Sequence, residues 1–355
     1  MKIKQVTFLA IQVLVFLCMS LAQQSRAQIG GSGTYQFLNL PSSARIAAMG
    51  GQNIAVRDSD VNSAFQNPSL LDSSMSNQFS ISYVSYFSGI NWGYVAYAMD
   101  AGRAGTFGVS MHFVNYGDFQ GTDSVGNLTN HFSAGDYDLN IGWGKVIDTN
   151  FSIGANLKTI YSSLEQYNSL GMAVDIAGTY YSKKHEFTLA AVIKNIGAQI
   201  TTYRPGNRES LPFEVELAMS KRLKHTPFRF SITARHLEQF DISYINPKDS
   251  ITIDPVSGDT TFAKNTFGDK IMRHVVVGME VLISKNINLR FGYNYERRKE
   301  LKIANNFSAG LSFGIGVRIS KFNFSYGYAI YSPVGGSNHF TLVTNLSEFF
   351  TKKRL

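Results

Sequence analysis

The feature that most constrains this chain is a period of two. From Phe307 to Ile319 every odd position is apolar (Phe307, Ala309, Leu311, Phe313, Ile315, Val317, Ile319), while Ser308, Gly310, Ser312, Gly314, Gly316 and Arg318 between them are small or polar. Phe322, Phe324, Tyr326, Tyr328 and Ile330 repeat the pattern, as do segments beginning at Phe151, Phe228 and Ile287. Successive side chains of a strand point to opposite faces, so each segment reads as a strand with one greasy and one wet side. Fourteen such strands are predicted, at 79–87, 91–99, 104–114, 135–147, 150–161, 170–182, 185–196, 212–223, 227–237, 272–284, 287–297, 307–319, 322–331 and 338–347. Most match the roughly 9 to 11 residues that a tilted strand needs to cross a bilayer. Short connections such as Lys183-Lys184 and Lys285-Asn286 alternate with long ones at 115–134, 197–211 and 238–271. That asymmetry predicts an all-β fold, a 14-stranded antiparallel transmembrane barrel with short periplasmic turns and long surface loops.

The leader supports export. Lys2 and Lys4 precede an apolar stretch from Val6 to Ala22, and Ser25-Arg26-Ala27 offers a cleavage site, so residues 1–27 read as a signal peptide. The single cysteine, Cys18, lies within it, which leaves no disulfide framework in the mature chain. Removing Lys2, Lys4 and Arg26 lowers the formal charge from +8 to +5, and Lys352-Lys353-Arg354 carry three of those units in a basic tail at 351–355. A charge so small and local makes no nucleic-acid stripe.

Residues 28–78 do not alternate. They carry Gly30-Gly31, Pro41, Gly50-Gly51 and Pro68, with helix-compatible pieces around Ser43 to Met49 and Asp60 to Phe65. The inward faces of the strands at 79–350 include Asp138, Lys158, Asp175, Lys194, Glu214, Glu216, Arg229, Arg235, Arg290 and Arg318, which need polar partners. A lumen of fourteen strands is wider than side chains alone fill, so 28–78 are expected to fold inward as a plug. Aromatic residues near strand ends, among them Tyr83, Trp92, Tyr94, Trp143, Tyr161 and Tyr180, fit interfacial girdles, and taken singly they fit core packing equally well.

No catalytic constellation stands out, and no enzyme is expected. Gly310-Leu311-Ser312-Phe313-Gly314 fits the nucleophile-elbow pattern but sits inside an alternating strand rather than at a strand-turn-helix junction. Asp58-Ser59-Asp60-Val61-Asn62 resembles the start of a calcium loop, yet Ser63 stands where the turn glycine belongs and Ser69 where the bidentate glutamate belongs. No metal and no cofactor is predicted.

The opening of the mature chain carries a family resemblance. Gly30-Gly31-Ser32-Gly33-Thr34-Tyr35-Gln36-Phe37-Leu38-Asn39-Leu40-Pro41, Ser43-Ala44-Arg45, Met49-Gly50-Gly51 and Asn67-Pro68-Ser69-Leu70 resemble the PorV/PorQ family of the Bacteroidetes type IX secretion system, the PorQ branch most of all. That family is related to FadL-type outer-membrane barrels, and Asn67-Pro68 is similar to the Asn-Pro-Ala signature of the FadL hatch, with Ser69 in place of alanine. The resemblance implies Arg45, Gly50, Gly51, Asn67 and Pro68 as the plug motif. It further implies an outer-membrane anchor for a PorZ-like surface protein, within an attachment complex that includes a PorU-like sortase and PorV. Candidate docking residues are Tyr203, Arg204 and Arg208 in one surface loop and Tyr244, Ile251, Ile253, Phe262 and Phe267 in another. The competing expectation is a FadL-like channel for hydrophobic small molecules. Both place the protein in the outer membrane of a Gram-negative cell, in contact with its lipid.

Overall fold

A computed structural model describes residues 33–243, 251–253, 260–262, 266–301, 308–332 and 335–350. The predicted leader, the tail at 351–355 and Tyr244 lie outside these residues.

Fourteen antiparallel strands close into one barrel. Strands β1 (Gln78–Ser85), β2 (Asn91–Asp100), β3 (Thr106–Thr122), β4 (Leu128–Val146), β5 (Phe151–Leu164), β6 (Tyr167–Ser182), β7 (Phe187–Thr201), β8 (Glu214–Arg222) and β9 (Phe228–Ala234) pair in sequence. A separate two-stranded hairpin, β10 (Ile251–Ile253) and β11 (Thr260–Phe262), follows. The wall resumes with β12 (Val275–Leu282), β13 (Ile287–Asn294), β14 (Leu311–Ile319), β15 (Phe322–Ser332) and β16 (Gly335–Asn345). Strand β12 pairs with β9, and β16 pairs with β1, which closes the ring and leaves the wall no free edge. No helix among the described residues is long and apolar enough to cross a membrane.

The greasy face is the outer one. Along β14 Leu311, Phe313 and Ile315 are exposed while Ser312, Gly314 and Gly316 are buried, and β5, β6 and β8 alternate the same way. Apolar side chains that are exposed around the whole wall, such as Val109, Leu139, Ile176, Leu217, Phe291 and Phe340, belong in hydrocarbon.

Several boundaries differ from the sequence reading. The segment 115–134 is no loop for most of its length: β3 and β4 continue as a ribbon in which Asp118 pairs with Ser133 and Phe119 with Phe132, beyond the last pairings of β3 with β2 (Asn115) and of β4 with β5 (Ala134). Strand β7 runs on to Thr201, and Tyr295 leaves the wall to open the helix Tyr295–Glu300, where Asn294 caps the first turn. Trp92 and Tyr94 are not girdle residues. Both parities of β2 are rich in apolar side chains, so the period is silent there, and these two rings turn inward to 2% and 1% exposure.

Candidate functional site

The interior is occupied by the chain's own N-terminal stretch. Ser43 caps a short helix, Ala44–Ala48, by accepting from the Ile46 amide, and Asp60 caps the 3-10 turn Val61–Phe65 by accepting from the Asn62 amide. Gly50 and Gly51 adopt left-handed backbone (φ 88° and 93°), which ends the helix at little steric cost. These pieces carry few hydrogen bonds of their own, so wall side chains satisfy their backbone. Thr341 Oγ1 accepts from the Ala44 amide (2.8 Å), Ser312 Oγ accepts from Gly50 and donates to the Ala48 carbonyl (both 3.0 Å), and Ser220 Oγ donates to the Ala55 carbonyl (2.8 Å).

The wall is shaped to receive that helix. Gly278, Gly292, Gly314 and Gly327, one from each of β12 to β15, point inward at it. A Cβ on Gly292 would lie 2.1 Å from the Gly50 nitrogen, and one on Gly327 would lie 2.3 Å from the Ala44 carbonyl oxygen. On the opposite wall Gly154 leaves room for Pro68, which a Cβ would meet at 2.4 Å. Asn67, fully buried, fixes this second contact. Its amide donates to the Ile54 carbonyl (2.6 Å) and to Thr179 Oγ1 (3.0 Å), and its Oδ1 accepts from the Ser69 amide and hydroxyl.

Toward the short-turn end, six charged groups lock plug to wall. Arg45 grips Glu280 through Nε and Nη2 (2.9 Å each) and Asp58 through Nη1 (2.8 Å), with Asp60 at 3.2 Å. Arg229 lies 2.7 Å from Asp58 and 2.8 Å from Glu280, and Arg290 lies 3.2 Å from Glu280. Three cations face three carboxylates. Burial alone would raise the Asp58 carboxyl, but the Arg45 and Arg229 guanidinium groups outweigh it and hold Asp58 below the usual carboxylate range. Other inward charges foreseen from the period are likewise paired, Lys158 with Asp175 and Lys194 with Glu216 at 2.8 Å and Arg235 with Glu214 at 2.8 Å. Two depart from this: Arg318, whose side chain stays 51% exposed, and Asp138, which is buried with neither carboxylate oxygen hydrogen-bonded among the described residues.

Toward the long-loop end an apolar cluster fills part of the interior. Tyr35, Phe37 and Leu38 of the plug pack with Val84, Trp92, Val114, Ile160 and Leu211, flanked by Tyr86, Ile90, Tyr116 and Tyr203. The Tyr35 hydroxyl meets Ser169 Oγ at 2.5 Å, and the Tyr203 hydroxyl donates to Ser162 at 2.6 Å.

The residues singled out in the sequence therefore separate. Arg45, Gly50, Gly51, Asn67 and Pro68 all lie in the internal segment against the wall. Tyr203, read as an outward docking residue, is half-buried and turned inward, because its ring extends the apolar cluster and its hydroxyl finds Ser162. Arg204 is exposed with its guanidinium 5.4 Å from the Tyr167 ring, and Arg208 is exposed. Ile251 faces Phe262 in the register of the β10–β11 hairpin, which also contains Ile253. Phe267 is 68% exposed and lies 5.8 Å from the Phe240 ring. Asp58, Asp60 and Glu280 were not foreseen as partners of Arg45. The acidic pair was legible only as a broken calcium loop, and nothing local ties it to a carboxylate two hundred residues away.

No family model matches the chain, and no curated protein matches its sequence. Among solved structures it is similar to the TodX monoaromatic hydrocarbon channel deltaS2 mutant (12% identity, TM-score 0.51, 86% of this chain and 97% of that one). It is similar also to the Pseudomonas putida toluene transporter TodX (11% identity, TM-score 0.51, 86% and 96%). A Pseudomonas aeruginosa FadL homologue aligns with 10% identity and a TM-score of 0.48 over 86% of this chain and 98% of that one. The structure is thus a closed 14-stranded antiparallel barrel with the fold of the TodX channel structures.

Proposed function

We propose that this chain is a FadL-like outer-membrane channel that admits a small hydrophobic molecule to the aromatic compartment beneath its long loops, with residues 34–75 as the plug beyond it. The carrying observation is that compartment: Trp92, Val114, Ile160 and Leu211 form an apolar site on the long-loop side, filled by Tyr35, Phe37 and Leu38 of the internal segment rather than by further wall residues. Side chains from a separate segment are the easiest part of such a cluster for a ligand to displace. TodX, a toluene transporter and monoaromatic hydrocarbon channel, supports this ligand class, and the structural neighbours favour this reading over a secretory one. The sequence has two tryptophans, so a Trp143→Phe background leaves Trp92 as the reporter. Toluene titrated into that variant should quench Trp92 saturably, and Phe37→Ala should alter the affinity. A strictly linear response in both would count against the channel.

A second reading is the anchor that the PorV/PorQ resemblance implies, in which the barrel holds a PorZ-like surface protein in an attachment complex with a PorU-like sortase and PorV. The projecting β3–β4 ribbon favours it, since Phe119, Val125 and Leu128 are exposed there and Phe119 stacks on Phe132 at 5.3 Å. Removal of 118–133 or of 241–268 should then release a large surface protein that otherwise co-purifies. Deleting the gene separates the two readings: lost uptake of hydrophobic compounds with intact export fits the channel, and lost export with intact uptake fits the anchor.

A further inference from the structure

The charge balance of the lumen breaks at its short-turn end. A polar cavity of about 340 Å³ opens there, floored by the Arg45–Glu280 network and rimmed by the β12–β13 and β14–β15 turns. Its floor is neutral, three guanidinium groups against three carboxylates. Its rim is not. Lys285, Arg318 and Lys321 face the cavity with Glu348 as the one carboxylate among them.

That carboxylate is weakly committed. Arg318 reaches it at 3.7 Å, Lys321 Nζ donates to the Glu348 backbone carbonyl rather than to its carboxylate, and among the described residues no ion pair involves Lys285. Counted over the described residues, the rim thus carries an excess of two positive charges. Asn288 and Asn323 line the same space, Asn323 as the register partner of Arg318 and Asn288 as that of Gly316. Gly316 keeps the space open, because a Cβ there would come within 2.8 Å of the Arg290 guanidinium.

Donors converging from two turns on a recessed space, with two charges uncompensated, suit a compact dianion with several acceptor oxygens. We propose that this vestibule binds a phosphate group, with Lys285, Arg318 and Lys321 as its charged contacts and Asn288 and Asn323 as neutral donors. The assignment stands apart from the aromatic compartment at the other end of the barrel and does not depend on what that compartment takes. The phosphate has two possible sources, a soluble phosphate of the periplasm or the headgroup of a neighbouring lipid, and the same donors serve either.

The test is calorimetric titration of inorganic phosphate, at constant ionic strength against chloride, into the full mature protein in zwitterionic detergent. One site per chain is expected, and Lys285→Gln with Lys321→Gln should weaken it by about tenfold or more, as loss of charge-assisted contacts does. Lys183→Gln with Lys184→Gln removes equal charge from a different short turn and should leave the affinity unchanged. Both pairs are turn positions, and an unaltered heat-modifiable band on gels confirms that each variant folds. Absent phosphate binding, or equal weakening by the two pairs, would overturn the proposal. Repeating the titration in nanodiscs with and without phosphatidylglycerol then assigns the source: phosphate that still binds is soluble ligand, and phosphate displaced by the anionic lipid marks a headgroup site.

Discussion

Arg45 of the plug and Glu280 of β12, separated by 235 positions, share a two-pronged ion pair with both N–O distances at 2.9 Å. The pair joins the helix that sits in the glycine trough to the wall that forms it. Glu280 is 1% exposed and also serves Arg229 and Arg290, so it is the hub on which three guanidinium groups depend.

Replacing that hub should be costly. Glu280→Gln takes from Arg290 its carboxylate partner and leaves three buried cations against the two carboxylates of Asp58 and Asp60, and removal of one partner of a buried pair costs about 3–5 kcal/mol. The expected result is a clear fall in the urea midpoint of the barrel in detergent. Arg45→Met combined with Glu280→Leu should recover part of it, since an apolar pair of similar volume is often neutral or better.

The glycine trough makes a prediction about permeability. Gly292→Val places carbon where the Gly50 nitrogen lies, at 2.1 Å from even the first added atom, while β13 keeps its pairing. The barrel should remain heat-modifiable while the plug is displaced, and single-channel recordings in planar bilayers should show conductance that the unaltered protein lacks. An unchanged closed trace would mean that the plug helix does not seal the lumen.

Asn67 should behave as a structural staple. Asn67→Ala leaves the Ile54 carbonyl and the Ser69 amide short of partners in a buried site, at a cost on the order of 1–3 kcal/mol. Asn67→Asp keeps an acceptor for Ser69 and loses the donors to Ile54 and Thr179, so it should bring no rescue. Faster protease cleavage within 34–75, with the wall intact, is the readout.

His236, just beyond the end of β9, supplies a pH dependence. Burial pushes its imidazole down, but the neighbouring Glu214 carboxylate, with Glu238 and Glu296, more than offsets this, and the net shift is upward. A group whose folded value is raised adds stability below its unfolded value, near 6.5, and that contribution is lost as pH rises through the folded value. Thermal midpoints should therefore decline from slightly acid to alkaline pH, and His236→Gln should flatten this slope.

The sequence by itself determined the wall. A strict period of two over segments of crossing length leaves one stable way to bury a greasy outer face, and even the inward charges were legible, because parity alone assigns a face. Parity failed where both faces are apolar, as at Trp92 and Tyr94, and it could not distinguish a loop from a ribbon that continues past the rim, as at 115–134. The internal segment was set apart in the sequence by its broken period and its helix-compatible pieces around Ser43 to Met49 and Asp60 to Phe65, but its lodging was not legible there. Which carboxylate meets Arg45, which glycines yield to Ala44–Ala48 and where Tyr203 points depend on barrel closure, which brings β12 to β16 around the described residues ahead of β1. Only the tertiary structure decided those contacts, because charge and shape complementarity between distant segments leaves no local period in the chain.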